Sequence, residues 1–190
     1  ILIDPLTNRE TSAAALELVN LQLGARPIMA VIYTHSHADH FGGIRGIVSP
    51  EDVKAGKVAI LAPEHFTKET ASENVIAGPA MGRRATFQFG AALVPGQDGQ
   101  MGSGIGSAVA AGEITLIAPT DTITRTGEQR TIDGVLMEFQ MVPQTEAPAE
   151  LNVMFPERKA LVIGEIATCS LHNILTPRGA QVRDALAWAG

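Results

Sequence analysis

The chain has 190 residues, 45% of them hydrophobic and 18% charged, which is enough for one full hydrophobic core and sets one domain as the expectation. A net charge of −6 leaves no basic footprint for nucleic acid, and the basic residues pair locally, at Arg83-Arg84 and Arg158-Lys159, without forming a stripe. No apolar run approaches the roughly 20 residues of a membrane helix, and one cysteine, Cys169, excludes an internal disulfide and a cysteine zinc knuckle.

In chain order, "ILIDPLTNRE" reads as strand, turn and helix start. Thr7 or Thr11 is the expected cap of the helical segment "TSAAALELVNLQLG", which ends at Gly24. "PIMAVIYTH" is the next strand. "SPEDVKAG" is a short helix with Ser49 as cap and Pro50 at its first position. "KVAILA" is a strand. The segment "PEHFTKETASENVIAGPAMGRRATFQFG" is mainly helical with a break at Gly78-Pro79, and His65 within it reads as structural. The first half is thus β-α-β-α-β-α, a sheet flanked by helices.

The segment from Val94 to Gly112 carries glycine at 96, 99, 102, 104, 106 and 112. It lacks the G-K-[ST] of a phosphate loop and does not place G-x-G-x-x-G after a strand. A mobile loop near the mouth of a site is the expectation. Strands follow at "EITLIAP", "DTITRTGEQRTID", "GVLMEFQMVP", "ELNVMFP" and "KALVIGE", with turns at Thr126-Gly127, Asp133-Gly134 and Pro156-Glu157. "RGAQVRDALAWAG" returns to helix. Residue 1 opens directly into a strand without methionine and the last residue falls at a helix, so both ends read as cut. No internal repeat of fixed period is present.

Chemistry concentrates in "THSHADHFGG", where His35, His37, Asp39 and His40 follow a buried strand and precede Gly42 and Gly43, where the chain can turn sharply. Neutral imidazole is the commonest biological metal ligand, and zinc takes imidazole and carboxylate at similar range. Four donors in one strand-end loop therefore point to one or two cations. The loop alone rarely completes a two-metal site, so carboxylates at later strand ends are the natural complement. Glu146, in "VPQTEAPAE", and Glu165, closing "ALVIGE", fit that description. Glu150 and Glu157 read as ordinary turn residues and Glu138 as a strand-surface residue. Arg178 suits a tetrahedral oxyanion, because a guanidinium presents a planar fork of donors, and its place ahead of an expected helix favours the same role.

The H-x-H-x-D-H loop after a strand resembles the signature of the metallo-β-lactamase superfamily, whose α/β fold is an αββα sandwich with metals at a shared edge. The stretches "IDPLTNRETSAAAL", "ENVIAGPAMGRRATFQFG", "EFQMVPQTEAPAELNVMFPERKAL" and "LHNILTPRGAQVRDALAW" narrow the likeness to the alkyl sulfatases of the SDS-hydrolase type. The resemblance implies residues 1–190 as a partial catalytic domain, truncated at both ends, with the family's C-terminal domains outside it. It implies two Zn2+ ions: His35, His37 and Glu146 on the first, Asp39 and His40 on the second, and Glu165 bridging. Asp39 and Glu165 would take part in catalysis, and Arg178 and Asn173 would hold the sulfate. The family takes a further histidine on the second zinc from downstream of the bridge. The downstream His172 is seven residues on, too close, so that ligand is expected beyond residue 190; His172 itself reads as a residue supporting the site or as a core histidine.

The function so implied is hydrolysis of alkyl sulfate esters such as dodecyl sulfate to alcohol and sulfate by metal-activated water. The partners implied are a small-molecule sulfate ester and, in the whole protein, a second copy in a homodimer, with export to the periplasm or medium. The competing readings are another hydrolase of the superfamily, acting on a lactone, thioester or β-lactam, and an inactive metal-binding fragment.

Overall fold

The computed structural model describes residues 1–103, 106, 110–168 and 173–189. Cys169, His172 and part of the glycine-rich segment lie outside them. Two four-stranded sheets organise the chain. The first runs β1 (Leu2–Ile3), β2 (Ala30–Ile32), β3 (Ala59–Pro63) and β4 (Asp121–Ile123), all parallel, in that order. The second is an antiparallel meander of β5 (Glu128–Ile132), β6 (Val135–Met141), β7 (Leu151–Phe155) and β8 (Ala160–Val162). The fold is α/β.

The apolar pattern explains the layers. In β2 every residue is buried, because both faces of the sheet are covered. Ala30, Ile32, Leu61 and Ile123 face Met137, Phe139, Leu151 and Val153 of the second sheet and form the core between the sheets. Val31, Tyr33, Ile60 and Ala62 point the other way, onto Phe41, Ile44, Val53 and Phe66. Tyr33 stacks on Phe66 at 5.0 Å between ring centroids and donates its hydroxyl to Ile117 O.

The helices between strands follow local signals with some corrections. The helix α1 (Arg9–Leu23) is capped by Asn8, whose side chain accepts from Thr11 N, and not by Thr7 or Thr11. It ends at Gly24 with φ +79. After α2 (Ala38–Phe41), the short α3 (Pro50–Lys54) has Ser49 as cap and Pro50 first, as its sequence implies. The long helical stretch is three pieces: α4 (Phe66–Thr70), a π-helical turn over Ala71–Ile76, and α5 (Gly78–Gln88). Exposed His65 precedes α4.

Two expectations fail in the second half. "EITLIAP" is no strand: its polar groups tie it to other elements, with Thr115 N and Oγ1 both donating to Gly42 O and Glu113 O accepting from Arg9 N. "DTITRTGEQRTID" is not one strand but two, β4 in the first sheet and β5 in the second, divided at Thr126-Gly127. The Asp133-Gly134 hairpin forms with φ +52 and +74, the doubly positive turn that Asp-Gly favours. The last helix is confined to α6 (Ala185–Ala189), with Trp188 Nε1 donating to Ile166 O.

Candidate metal centre

The carboxyl ends of β1 and β2 and the loops around β7 and β8 meet at one edge. An isolated antiparallel bridge pairs His35 with Glu150, and Leu151 N donates to Thr34 O, which stitches the two sheets together there. The loop after β2 is pressed against the loop after β1. A Cβ on Gly42 would lie 2.0 Å from Thr7 O, and one on Gly43 2.0 Å from Pro5 O. Both glycines have negative φ, so they are required for space and not for a left-handed turn.

His35, His37, Glu146 and Glu165 bring one donor atom each within 4.8 Å of one another, and Asp39, His40 and Glu165 do the same beside them. His35 Nε2 lies 3.3 Å from Glu146 Oε2 and 3.8 Å from Glu165 Oε2; His37 Nδ1 lies 2.9 Å from Glu146 Oε2. A tetrahedral zinc with bonds of about 2.0–2.1 Å sets its donors roughly 3.3 Å apart, so these spacings fit one ion. His40 Nε2 is 3.3 Å from Glu165 Oε2 and 3.6 Å from Asp39 Oδ2. The first group is the more enclosed: His35 and Glu146 are fully buried, while the Asp39 side chain is 52% exposed.

Each histidine is oriented by a partner on its other nitrogen. Thr34 Oγ1 donates to Asp4 Oδ2 at 2.7 Å and so accepts from His35 Nδ1–H at 2.9 Å, which leaves the His35 Nε2 lone pair facing the site. That Nε2 is buried and makes no hydrogen bond among the described residues. Asp4 Oδ2 also takes the Nδ1 proton of His40 at 2.9 Å. Glu73 Oε2 is 3.1 Å from His37 Nε2. Such outer partners fix tautomer and ring direction in metal sites.

The electrostatics describe a pocket short of positive charge. Burial and the positive charges of His37 and His40 hold the His35 pKa well below its ordinary value. Burial also works against the cationic form of His37, but its hydrogen bonds to the Glu146 and Glu73 carboxylates outweigh it and push the value up to about 10. For His40 the bonds to Asp4 and Glu165 overcome burial in the same way, to about 11. Burial and the Glu146 charge raise Glu150 to about 8. Protons on His37 and His40 thus offset the carboxylates here, and a divalent cation can replace them.

A cavity of about 270 Å3 opens onto this edge, and its lining includes His37, Asp39, Glu146, Glu165 and Arg178 together with Met81, Phe89 and Ile114. Arg178 faces the cluster, although no helix begins there: the chain turns at Gly179 with φ +92, and α6 starts only at Ala185. The helix-terminus argument for an anion therefore fails, and the guanidinium is held by its bond from Nη2 to Asn173 Oδ1 at 3.0 Å. Asn173 is fully buried and donates through Nδ2 to Glu146 O, so it braces Arg178 and Glu146 and is not open to a sulfate. Phe89 and Ile114, which flank the glycine-rich segment in sequence, both line the cavity.

Four participants escape a sequence reading. Asp4 sits in an ordinary turn after β1. Glu150, read as a turn residue, is fully buried and accepts from Thr145 Oγ1 and Ala147 N. Glu73 and Arg183 sit in polar helical and loop stretches. The one available signal is "ILID", an acid directly behind an apolar strand, the same rule that selects Glu165.

The metallo-beta-lactamase superfamily model matches residues 1–136. The chain belongs to the metallo-β-lactamase superfamily. Membership in that superfamily implies a metal centre, for which the donor groups above are the candidates. A linear primary-alkylsulfatase of Pseudomonas sp. is 50% identical over 99% of the chain, and an alkyl/aryl-sulfatase of Saccharomyces cerevisiae is 45% identical over 100% of it. The chain spans 28% and 29% of those relatives' own lengths. The structure of a stereoselective inverting sec-alkylsulfatase from Pseudomonas sp. superposes with TM-score 0.91 at 46% identity, over 99% of this chain and 30% of that one. A metallo-beta-lactamase, IND-7, shares the fold with TM-score 0.56 at 14% identity, over 98% of this chain and 63% of that one.

Proposed function

We propose that this superfamily chain is the metal-bearing part of a zinc-dependent hydrolase of alkyl sulfate esters, which yields an alcohol and sulfate. The observation that carries the reading is the composition of one cavity. Metal-donor carboxylates, the Arg178 guanidinium and an apolar wall of Met81, Phe89 and Ile114 share about 270 Å3. A sulfate head needs cationic and Lewis-acid contacts around its oxygens, and an alkyl tail needs apolar surface. Relatives at 45–50% identity, two named alkylsulfatases and one an alkyl/aryl-sulfatase, support the same substrate class.

In this reading His35, His37 and Glu146 hold one zinc, Asp39 and His40 a second, and Glu165 lies between them. Bound zinc supplies a water acidic enough to be hydroxide near neutral pH. The chain's own residues do the rest. Arg178 takes two sulfate oxygens with its fork, and Asn173 keeps that fork aimed. Glu165, about one-third exposed, is the carboxylate common to both donor groups and would help hold both ions and the water they activate in place. Met81 and Phe89 exclude water from the alkyl side.

The test is sulfate release from dodecyl sulfate by the zinc-loaded full-length protein, beside a lactone, a thioester and a β-lactam at equal concentration. The expected result is turnover of the sulfate ester above all three. Turnover of a carbonyl substrate with none of dodecyl sulfate contradicts the reading.

A further inference from the structure

The π-helical turn over Ala71–Ile76 grips the loop after β2 through two successive residues. Asn74 Nδ2 donates to Ser36 O at 3.2 Å and to Thr70 O at 3.0 Å. Glu73 reaches the next residue, His37, with Oε2 3.1 Å from Nε2. π turns are rare and recur at functional sites, because the widened turn re-aims side chains that a regular helix would point elsewhere. Glu73 is not a surface acid: its side chain is 11% exposed, and its Oε1 accepts from Arg183 Nη2 at 2.8 Å. Arg183 is fully buried along its side chain and donates from Nε to Glu146 O at 3.0 Å. One guanidinium therefore ties Glu73 to the backbone of a donor residue.

Glu73 is also not one of the donors. It lies on the Nε2 side of the His37 ring, while Glu146 lies on the Nδ1 side. A neutral imidazole has a single lone pair, and the nitrogen that offers it is set by the bond the other nitrogen makes. An acceptor at Nε2 takes the ring proton there and leaves Nδ1 as the donor. His35 and His40 face the cluster through Nε2 and His37 through Nδ1, so His37 needs its outer acceptor on the opposite ring nitrogen, Nε2, to keep a lone pair at the site.

We propose that Glu73, delivered by the π turn and braced by Arg183, is a positioning residue that commits His37 to bind metal through Nδ1. This rests on the metal-centre reading above and deepens it. Removal of such an outer partner typically costs 10–100-fold in metal affinity.

The experiment is zinc affinity by competition with a chromophoric chelator on the full chain, together with long-range 1H–15N NMR of the histidine rings and far-UV circular dichroism. Glu73→Ala is expected to weaken zinc by about 10–100-fold and to lose the single signature of Nε2-protonated, Nδ1-bound His37. Glu73→Gln keeps an acceptor oxygen, so it is expected to fall between wild type and Ala with His37 still bound through Nδ1. Wild-type affinity and an unchanged His37 signature in Glu73→Ala overturn the assignment alone. If Glu73→Ala loses its dichroism spectrum, Glu73→Gln decides: weakened affinity on a folded chain supports the role, and wild-type affinity overturns it. A wild-type chain that takes up no zinc overturns the metal centre with it.

Discussion

Arg178 is the residue on which substrate class turns. Its guanidinium lines the cavity beside Glu146 and Glu165, and Asn173 Oδ1 fixes one of its nitrogens. Lysine keeps the charge and loses the fork. Arg178→Lys is therefore expected to weaken transition-state binding to a sulfate ester by about 1–3 kcal/mol, the scale of a hydrogen bond to a charged group. Arg178→Ala should cost more and raise KM, with zinc content unchanged. Steady-state kinetics and metal analysis on the same preparations check both; wild-type kinetics in Arg178→Ala would return the residue to the scaffold. The residues that sequence alone brings forward around it share one property. His35, His37, Asp39 and His40 lie within six positions, and Glu146 and Glu165 stand just past apolar runs. Glu73 and Arg183 are single charges in ordinary contexts whose partners are distant in sequence: 36 positions separate Glu73 from His37, and 110 separate Arg183 from Glu73. Only the folded chain brings them together.

At the scale of elements, hydrophobic runs located the strands well where the fold covers them on both sides, as in β2 and β3, and where an Asp-Gly turn sets the register, as between β5 and β6. The pattern misled at "EITLIAP", whose amides bond to loops and helix ends, and at the β4–β5 boundary, where the chain changes sheet. That change is spanned by an ion pair: Arg130 of β5 donates from Nε to Asp121 Oδ2 of β4 at 2.6 Å and from Nη2 to Oδ1 at 3.2 Å. The bond to Arg130 holds the Asp121 carboxyl below its ordinary range. Both side chains are about one-third exposed, so solvent screening limits the pair to roughly 0.5–1 kcal/mol. A depressed folded pKa contributes stability that is present in full above the unfolded value near pH 4 and is lost as pH falls through the folded value. Asp121→Asn is thus expected to be less stable than wild type in urea melts at pH 7, with the gap narrowing at a pH below the ordinary carboxylate value of about 4. An equal gap at both pH values would show that the pair adds no charge-dependent stability.

Across the whole molecule, the two sheets share one core, and one edge of that core gathers acids that the surrounding guanidiniums do not balance. Asp4, Asp39, Glu73, Glu146, Glu150 and Glu165 converge there against Arg178 and Arg183, and His37 and His40, whose pKa values are pushed up to about 10 and about 11, add positive charge. A divalent cation held by the donor groups would offset the remaining negative charge. The most direct measurement is the zinc content per chain after exhaustive dialysis from zinc-containing buffer, by elemental mass spectrometry, on wild type and on His35→Ala and His37→Ala shown to be folded. Wild type is expected to retain at least one zinc per chain, and both variants to lose it. A zinc-free wild type, or variants that retain as much zinc as wild type, would contradict that expectation.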